Sequence, residues 1–299
     1  MGSGNRPILY YNSSVTLENN DNISELILAN ADGSQINNVT VRGSDTSKNN
    51  GILLVRTDNS DISNSNSSNN DYGIYLYSSS NNNITNNNAS SNNFGIYLSY
   101  SSNNMLTNNI ASNNRYGVYL FYSSNNMLTN NIASNNRYGI CLSSSSNNTL
   151  TNNTASNNNN GIFLWYSSNN TLYHNNLINN TNNNAYDTST NQWNTSTVGN
   201  YYSDYTGSDS DGIGDTSYQI PGGSSIDHFP LMHPWGKPPL KGDLDGDYQI
   251  TSTDAAIVLE IAVGSRPFDD AADVSGDGRV SSLDALVILQ NCKARALQR

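Results

Sequence analysis

Apolar residues recur in a fixed phase along this chain. Glycines stand every 22 residues, at Gly51, Gly73, Gly95, Gly117, Gly139 and Gly161, and each opens a triplet of apolar, variable and apolar positions. In Gly95-Ile96-Tyr97-Leu98, Ile96 and Leu98 fall on one side of an extended segment and Tyr97 on the other. Eleven residues after each glycine comes a second apolar position (Ile62, Ile84, Leu106, Leu128, Leu150, Leu172), and sixteen after comes a mostly small one (Ser67, Ala89, Ala111, Ala133, Ala155, Leu177). A period this short cannot close a core of its own, so each turn must stack on the next. The pattern predicts an all-β solenoid, a three-sided parallel β-helix with 22-residue turns in which Ile96, Val118 and Ile140 share one column.

Between these positions the chain is almost wholly Asn and Ser, as at Ser101-Ser102-Asn103-Asn104 and Asn113-Asn114. Short polar side chains bond the local backbone and Asn tolerates the left-handed region, so these stretches predict corners rather than helices. Identical amides in successive turns, about 4.8 Å apart, are also expected to hydrogen-bond as an Asn ladder. An Asn/Ser-rich composition by itself fits a disordered tract. Apolar residues held in strict phase do not.

Composition divides the chain. Residues 1–50 read as irregular first turns, with Leu26-Ile27-Leu28 and Val39-Thr40-Val41 as strands, and 51–180 as regular turns. Residues 181–235 read as a cap rich in Tyr, Gly and Asp, 236–241 as a stiff Pro-containing linker, and 242–299 as a helical, acidic module. Charged residues make up 12% of the chain and the net charge is −11, which argues against a basic nucleic-acid groove. No apolar run is long enough to span a bilayer. Met1-Gly2-Ser3-Gly4 has no signal-peptide core and reads as an artificial start to a trimmed, exported chain. Cys141 and Cys292 fall in different segments and read as unpaired. Sequons such as Asn83, Asn147 and Asn169 permit glycosylation without showing it.

The sharpest chemical signal lies near the C-terminus. Asp243, Asp245, Asp247 and Asp254 occupy positions 1, 3, 5 and 12 of a calcium-loop spacing, with Gln249 at position 7 and Thr251 at position 9. Thirty residues on, Asp273, Ser275, Asp277, Arg279, Ser281 and Asp284 repeat it, with Gly278 at position 6 where the first copy has Tyr248. A hard cation takes oxygen ligands, which an alternating loop closed by a carboxylate supplies. Two acidic turns capping helices are the plain alternative. Helices are expected after the loops, at Ala255 to Val263 and Ala285 to Ala294. This duplicated loop-helix unit, over about residues 241–297, resembles a type I dockerin domain. The resemblance implies two calcium ions, a cohesin-like module as partner, and recognition through Ser252, Thr253, Ser282 and Leu283. In the cap, Asp209, Asp211 and Asp215 are spaced for a third calcium or for an acidic turn.

Residues from about 50 to Trp235 resemble the right-handed parallel β-helix proteins of the NosD-like, carbohydrate-binding and sugar-hydrolase group. They include a tail of archaeal type, Gly199-Asn200-Tyr201-Tyr202-Ser203-Asp204-Tyr205 with Ile226-Asp227-His228-Phe229-Pro230. The resemblance implies an extracellular or cell-surface archaeal protein whose tail covers the last turn, and it invites three functions. Acid/base chemistry on sugars needs paired carboxylates. Tyr72 to Tyr186 contains no Asp or Glu, so the chain is expected not to be an enzyme. Copper handling needs clustered soft or imidazole ligands. The candidates are Met105 with Met127, and His228, Met232 and His233, which read better as a packed cap.

Binding has a surface. Tyr75, Tyr97, Tyr119 and Phe163 share one outward position, interrupted by Cys141, and Tyr77, Phe121 and Trp165 lie two residues on. Such a stripe suits a glycan or a protein face, or stiffens the sheet by self-stacking. The expectation is a non-catalytic extracellular β-helix attached to a cohesin through a calcium-dependent dockerin. A homopolymer forming a filament or surface layer, and a carbohydrate-active enzyme, are the alternatives.

Overall fold

The computed structural model describes residues 2–44, 48–208, 212–236, 241–244 and 250–296. It divides into two units, Met1–Leu231 and Met232–Arg299. The first is a parallel β-solenoid whose turns feed two nine-stranded sheets and one four-stranded sheet. The sequence period fixes the register: Ile74, Ile96, Val118, Ile140 and Ile162 pair in order, as do Leu76, Leu98, Leu120, Leu142 and Leu164. A further column runs Ile62, Ile84, Leu106, Leu128, Leu150 and Leu172. These side chains are fully buried, each stabilising the coil by about 1.5–3 kcal/mol. The irregular first turns join the same core, Leu26 pairing with Ile52 and Leu28 with Leu54.

The recurring glycine answers to space. A Cβ on Gly117 would lie 2.5 Å from the carbonyl oxygen of Gly139 and 2.8 Å from Asn136 Nδ2, and Gly95 meets the next turn in the same way. Turns approach this closely only where a side chain is missing. The glycine also interrupts the in-out alternation. Tyr116 before it and Tyr119 two after it are both half-buried, while Gly117, Val118 and Leu120 are buried.

Corners follow a rule. In one turn Tyr100, Asn103, Asn108 and Asn113 take left-handed φ values of 52, 59, 56 and 59°. Each is followed at once by a buried polar residue: Ser101, Asn104, Asn109 and Asn114. The backbone N–H of Asn104 donates to Asn126 Oδ1 at 2.8 Å, that of Asn109 to Asn131 Oδ1 at 3.0 Å, and that of Asn114 to Asn136 Oδ1 at 2.8 Å. Ser101 N donates to Ser123 Oγ at 3.0 Å. The amides also reach back, Asn109 Nδ2 to the Ile84 carbonyl at 2.7 Å and Asn114 Nδ2 to that of Ala89 at 3.1 Å. Each asparagine thereby satisfies an inward N–H and an inward C=O, and a buried group left unpaired there would cost about 1–3 kcal/mol.

Asn183–Asp187 adds a last rung to the first sheet by pairing with the strand Asn160–Trp165, and the chain after it closes the end of the coil. Tyr201–Tyr202 extends the four-stranded sheet by pairing with Asn176 and Leu177, and Tyr218–Gln219 pairs antiparallel with Ile226–Asp227. The asparagine columns end on carboxylates. Asn191 Nδ2 donates to Asp187 at 2.8 Å, Asn200 N to Asp227 at 2.8 Å, and Asn184 Nδ2 to Asp204 at 2.6 Å.

In the second unit, helices α1 (Ser252–Ala262) and α2 (Ser282–Ala296) share a core of Ala255, Val258, Ile261, Ala285 and Ile288. Both start three residues earlier than the apolar pattern indicated. The reason is capping: Thr251 and Asp254 form a capping box on α1, and Asp284 accepts from Ser281 N at 2.9 Å at the start of α2. Of the linker, residues 237–240 lie outside the described residues.

Replacing Gly117 by Ala is expected to destabilise the coil by about 1–3 kcal/mol, read as a lower urea midpoint at unchanged slope. A wild-type midpoint would mean that the turns do not need this close approach.

Candidate binding face and metal loops

The predicted stripe is present, but its first row is paved rather than open. Tyr75, Tyr97, Tyr119 and Phe163 are half-buried, with ring centroids 4.9 Å apart for Tyr75–Tyr97 and 5.2 Å for Tyr97–Tyr119. A second row, which alternation did not reveal, lies beside them. Tyr72, Phe94, Tyr116 and Tyr138 stack at 5.1, 4.9 and 5.0 Å, and the two rows touch at Tyr72–Tyr75 (4.7 Å) and Tyr116–Tyr119 (5.0 Å). Burial pushes the hydroxyls of Tyr75 and Tyr119 up to about 12. Cys141, which interrupts the first row, is buried, and burial raises its thiol to about 12. There Tyr138 turns edge-on to Phe163 at 5.3 Å.

The open part of the face lies further along the strands. Tyr77 and Trp165 are exposed and Phe121 is half-buried, with Ser99 and Ser143 on the rungs between. Beside them stand Tyr100, Tyr122 and Tyr166, which sequence reasoning missed. They are 53, 50 and 72% exposed and hold left-handed φ values of 52, 46 and 48°. That conformation costs a bulky residue about 1–2 kcal/mol, and Ser78 and Ser144 fill the same position in other turns. Strain borne by exposed rings adds nothing to the core.

Of the first loop with calcium-type spacing, Asp245, Asp247 and Gln249 lie outside the described residues, as do Asp209 and Asp211 of the cap. Asp243 is buried. Asp254 is buried and accepts from Leu244 N and Thr251 N, both at 2.7 Å. In the second loop Asp273 accepts from Gly276 N (2.8 Å), Gly278 N (2.9 Å), Asp277 N (3.1 Å) and Ser275 Oγ (3.2 Å). Asp284 accepts from Ser275 N and Ser281 N, both at 2.9 Å. Desolvation works against the ionised forms of Asp273 and Asp284, but these hydrogen bonds outweigh it and hold both carboxyls below the usual range. Gly276 and Gly278 take φ values of 77 and 80°, as a tight loop requires.

Among the described residues no group of three or more His, Cys, Asp or Glu converges. The donors of the second loop are nevertheless all oxygens: the three carboxylates, the Ser275 and Ser281 hydroxyls and the Arg279 carbonyl, the set a hard cation takes. Asp215 accepts from Ser208 Oγ at 2.9 Å in an exposed turn. Ser252, Thr253, Ser282 and Leu283 are exposed in the first turns of α1 and α2.

Two acids of the cap, Asp187 and Asp227, are buried among hydrogen-bond donors. Buried Asp187 accepts from Ser225 Oγ (2.7 Å), Ser189 N (2.9 Å) and Trp193 Nε1 (3.0 Å) as well as from Asn191. Buried Asp227 accepts from Asn200 N (2.8 Å), Phe229 N (3.0 Å) and the Tyr202 hydroxyl (3.0 Å). His228 is exposed, its Nδ1 lying 3.2 Å from Ser217 Oγ. Met105 and Met127 are exposed one turn apart.

Residues 4–207 match the family model described as periplasmic copper-binding protein (NosD), and residues 241–291 match the dockerin type I domain. No curated protein is similar enough to count as a match. Among solved structures the chain is similar to the Azotobacter vinelandii mannuronan C-5 epimerase AlgE6 A-module, at 16% identity and a TM-score of 0.47 over 63% of this chain and 61% of that one. It is similar to the AlgE4 A-module of the same organism at 13% and 0.44, over 75% and 77%, and to the periplasmic alginate epimerase AlgG at 22% and 0.39, over 53% and 38%. The chain thus spans less than two thirds of the length of the AlgE6 and AlgG structures.

Burial drives the Asp227 carboxyl up to about 6, against hydrogen bonds from Asn200, Phe229 and Tyr202 that lower it. A carboxyl whose folded pKa exceeds its unfolded one contributes stability at low pH and loses it as pH rises through the folded value. The solenoid unit is therefore expected to lose on the order of 2 kcal/mol between about pH 4 and about pH 7. Chemical denaturation against Asp227→Asn, in which this slope should vanish, reads the effect. Identical pH profiles for the two proteins would contradict it.

Proposed function

Over residues 4–207 this chain belongs to the periplasmic copper-binding protein (NosD) family, and from that premise we propose that it is a non-catalytic extracellular β-helix protein, held to a cohesin by its dockerin module and binding glycan along its aromatic face. The binding half rests on one observation: Tyr100, Tyr122 and Tyr166 keep exposed rings on left-handed backbone. Tyr100 and Tyr122 cover one another at 5.2 Å, but Ser144 stands between Tyr122 and Tyr166, so in this column these two rings have no ring stacked between them and can meet the apolar faces of sugar rings. An exposed apolar face of this kind is where a soluble protein meets a partner.

The absence of catalysis is supported by the lack of any carboxylate from Tyr72 to Tyr186 and by the donors that engage buried Asp187 and Asp227. A copper role would call for converging soft or imidazole donors. Of the candidates His228, Met232, His233, Met105 and Met127, His228 directs Nδ1 at Ser217 Oγ, and the thioethers of Met105 and Met127 are exposed one turn apart.

The docking half rests on the match of residues 241–291 to the dockerin type I domain. Calcium, when bound, supplies the positive centre that lets the loop carboxylates converge. Asp273, Ser275, Asp277, Asp284 and the Arg279 carbonyl would hold it in the second loop, and Asp243 and Asp254 would contribute in the first. Ser252, Thr253, Ser282 and Leu283, exposed where the helices begin, would face the cohesin. The two family matches imply an extracellular or surface location. No helix among the described residues is long and apolar enough to cross a membrane.

Chelating calcium is expected to remove the helical circular-dichroism signal and cohesin binding while the β signal of the coil persists. Asp284→Ala at saturating calcium should weaken cohesin capture by about tenfold or more. Loss of both signals together would contradict two independently stable units.

A further inference from the structure

Two guanidinium groups border the aromatic face. Arg115 and Arg137 stand two residues before the repeat glycines Gly117 and Gly139, one turn apart, and Tyr138 N donates to the Arg115 carbonyl at 3.0 Å. Both are exposed. Each lies over the ring that follows it, 5.5 Å from the centroid of Tyr116 and 5.7 Å from that of Tyr138. Among the described residues neither side chain enters an ion pair or a hydrogen bond, so their N–H donors face solvent. Like charges on adjacent rungs repel. The fold does not require them, because Asn93 and Asn159 fill the same position in neighbouring turns. Asp71, the one acid in this column, is two turns from Arg115 and accepts from Asn93 Nδ2 at 3.4 Å.

We infer that this face takes an acidic polysaccharide, one whose sugar rings carry carboxylates. The inference rests on the glycan-binding reading above and names the glycan's class. A uronic-acid residue brings both complements in one unit: a ring face for the aromatic rows and an anion for a guanidinium, which pairs with carboxylates in a two-pronged geometry. The arginines stand just before the strands and Phe121 closes Tyr116–Phe121 about 20 Å away, so a polymer lying along the strands, across the coil axis, meets a guanidinium and then rings. A nucleic acid is the wrong occupant. Its binding is driven by many cations, whereas this column carries two arginines.

The test is titration calorimetry of the full chain with a short oligogalacturonate, its methyl ester and an oligoglutamate of equal charge. Arg115→Asn with Arg137→Asn, and Phe121→Ser with Trp165→Ser, use residues that the same columns already contain. The acid sugar should bind about tenfold tighter than its ester. The arginine variant and high salt should abolish that difference without weakening the ester, and the aromatic variant should weaken both sugars. Equal affinity for acid and ester, or for sugar and oligoglutamate, would overturn the inference and, in the first case, leave glycan binding standing. If no sugar binds, neutral glycans included, the glycan reading fails and this inference with it.

Discussion

A turn of 22 residues that bends through left-handed corners points backbone N–H and C=O groups inward where no water reaches them. The coil holds because the residue after each bend carries an amide or a hydroxyl that meets them. Asparagine suits the place because one planar amide offers an acceptor to the neighbouring turn and a donor to a carbonyl. The composition that would mark a disordered tract is therefore core chemistry. The columns end where acceptors alone are needed, and there aspartates replace the amides, as Asp227 does for Asn200.

Fixing the corners from inside frees the outer face. Outward residues of the strands carry no part of the bend, so their rings line up on the rungs that the core dictates. This explains why the aromatic rows are in register without being continuous, with Ser99, Cys141 and Ser143 interposed. It also gives the strained tyrosines their meaning, since the corners accept Ser or Asn at lower cost. For the proposed binding role, rings already stacked on their rungs limit the ordering entropy that binding must overcome.

Much of this was legible in the chain. Ile96, Val118 and Ile140 form one buried column because only equal spacing lets turns share a core, and the spacing is visible. The loop carboxylates and both helices were visible too, since oxygen-ligand spacing and apolar period survive without structure. The row of Tyr72, Phe94, Tyr116 and Tyr138 was hidden because strict alternation assigns it inward, and only the close approach at the glycine reverses that. The left-handed backbone of Tyr100 was hidden because tyrosine rarely adopts it. The roles of Asp187 and Asp227 were hidden because they arise from long-range pairing with the asparagine columns.

Hydrogen exchange at the corners bears most directly on the central claim. The backbone N–H groups of Asn104, Asn109 and Asn114 should be protected as strongly as those of Ile96 and Leu98, because each donates into the next turn's side chain. Exchange at these asparagines as fast as at open surface loops would show that the amide columns do not hold the coil.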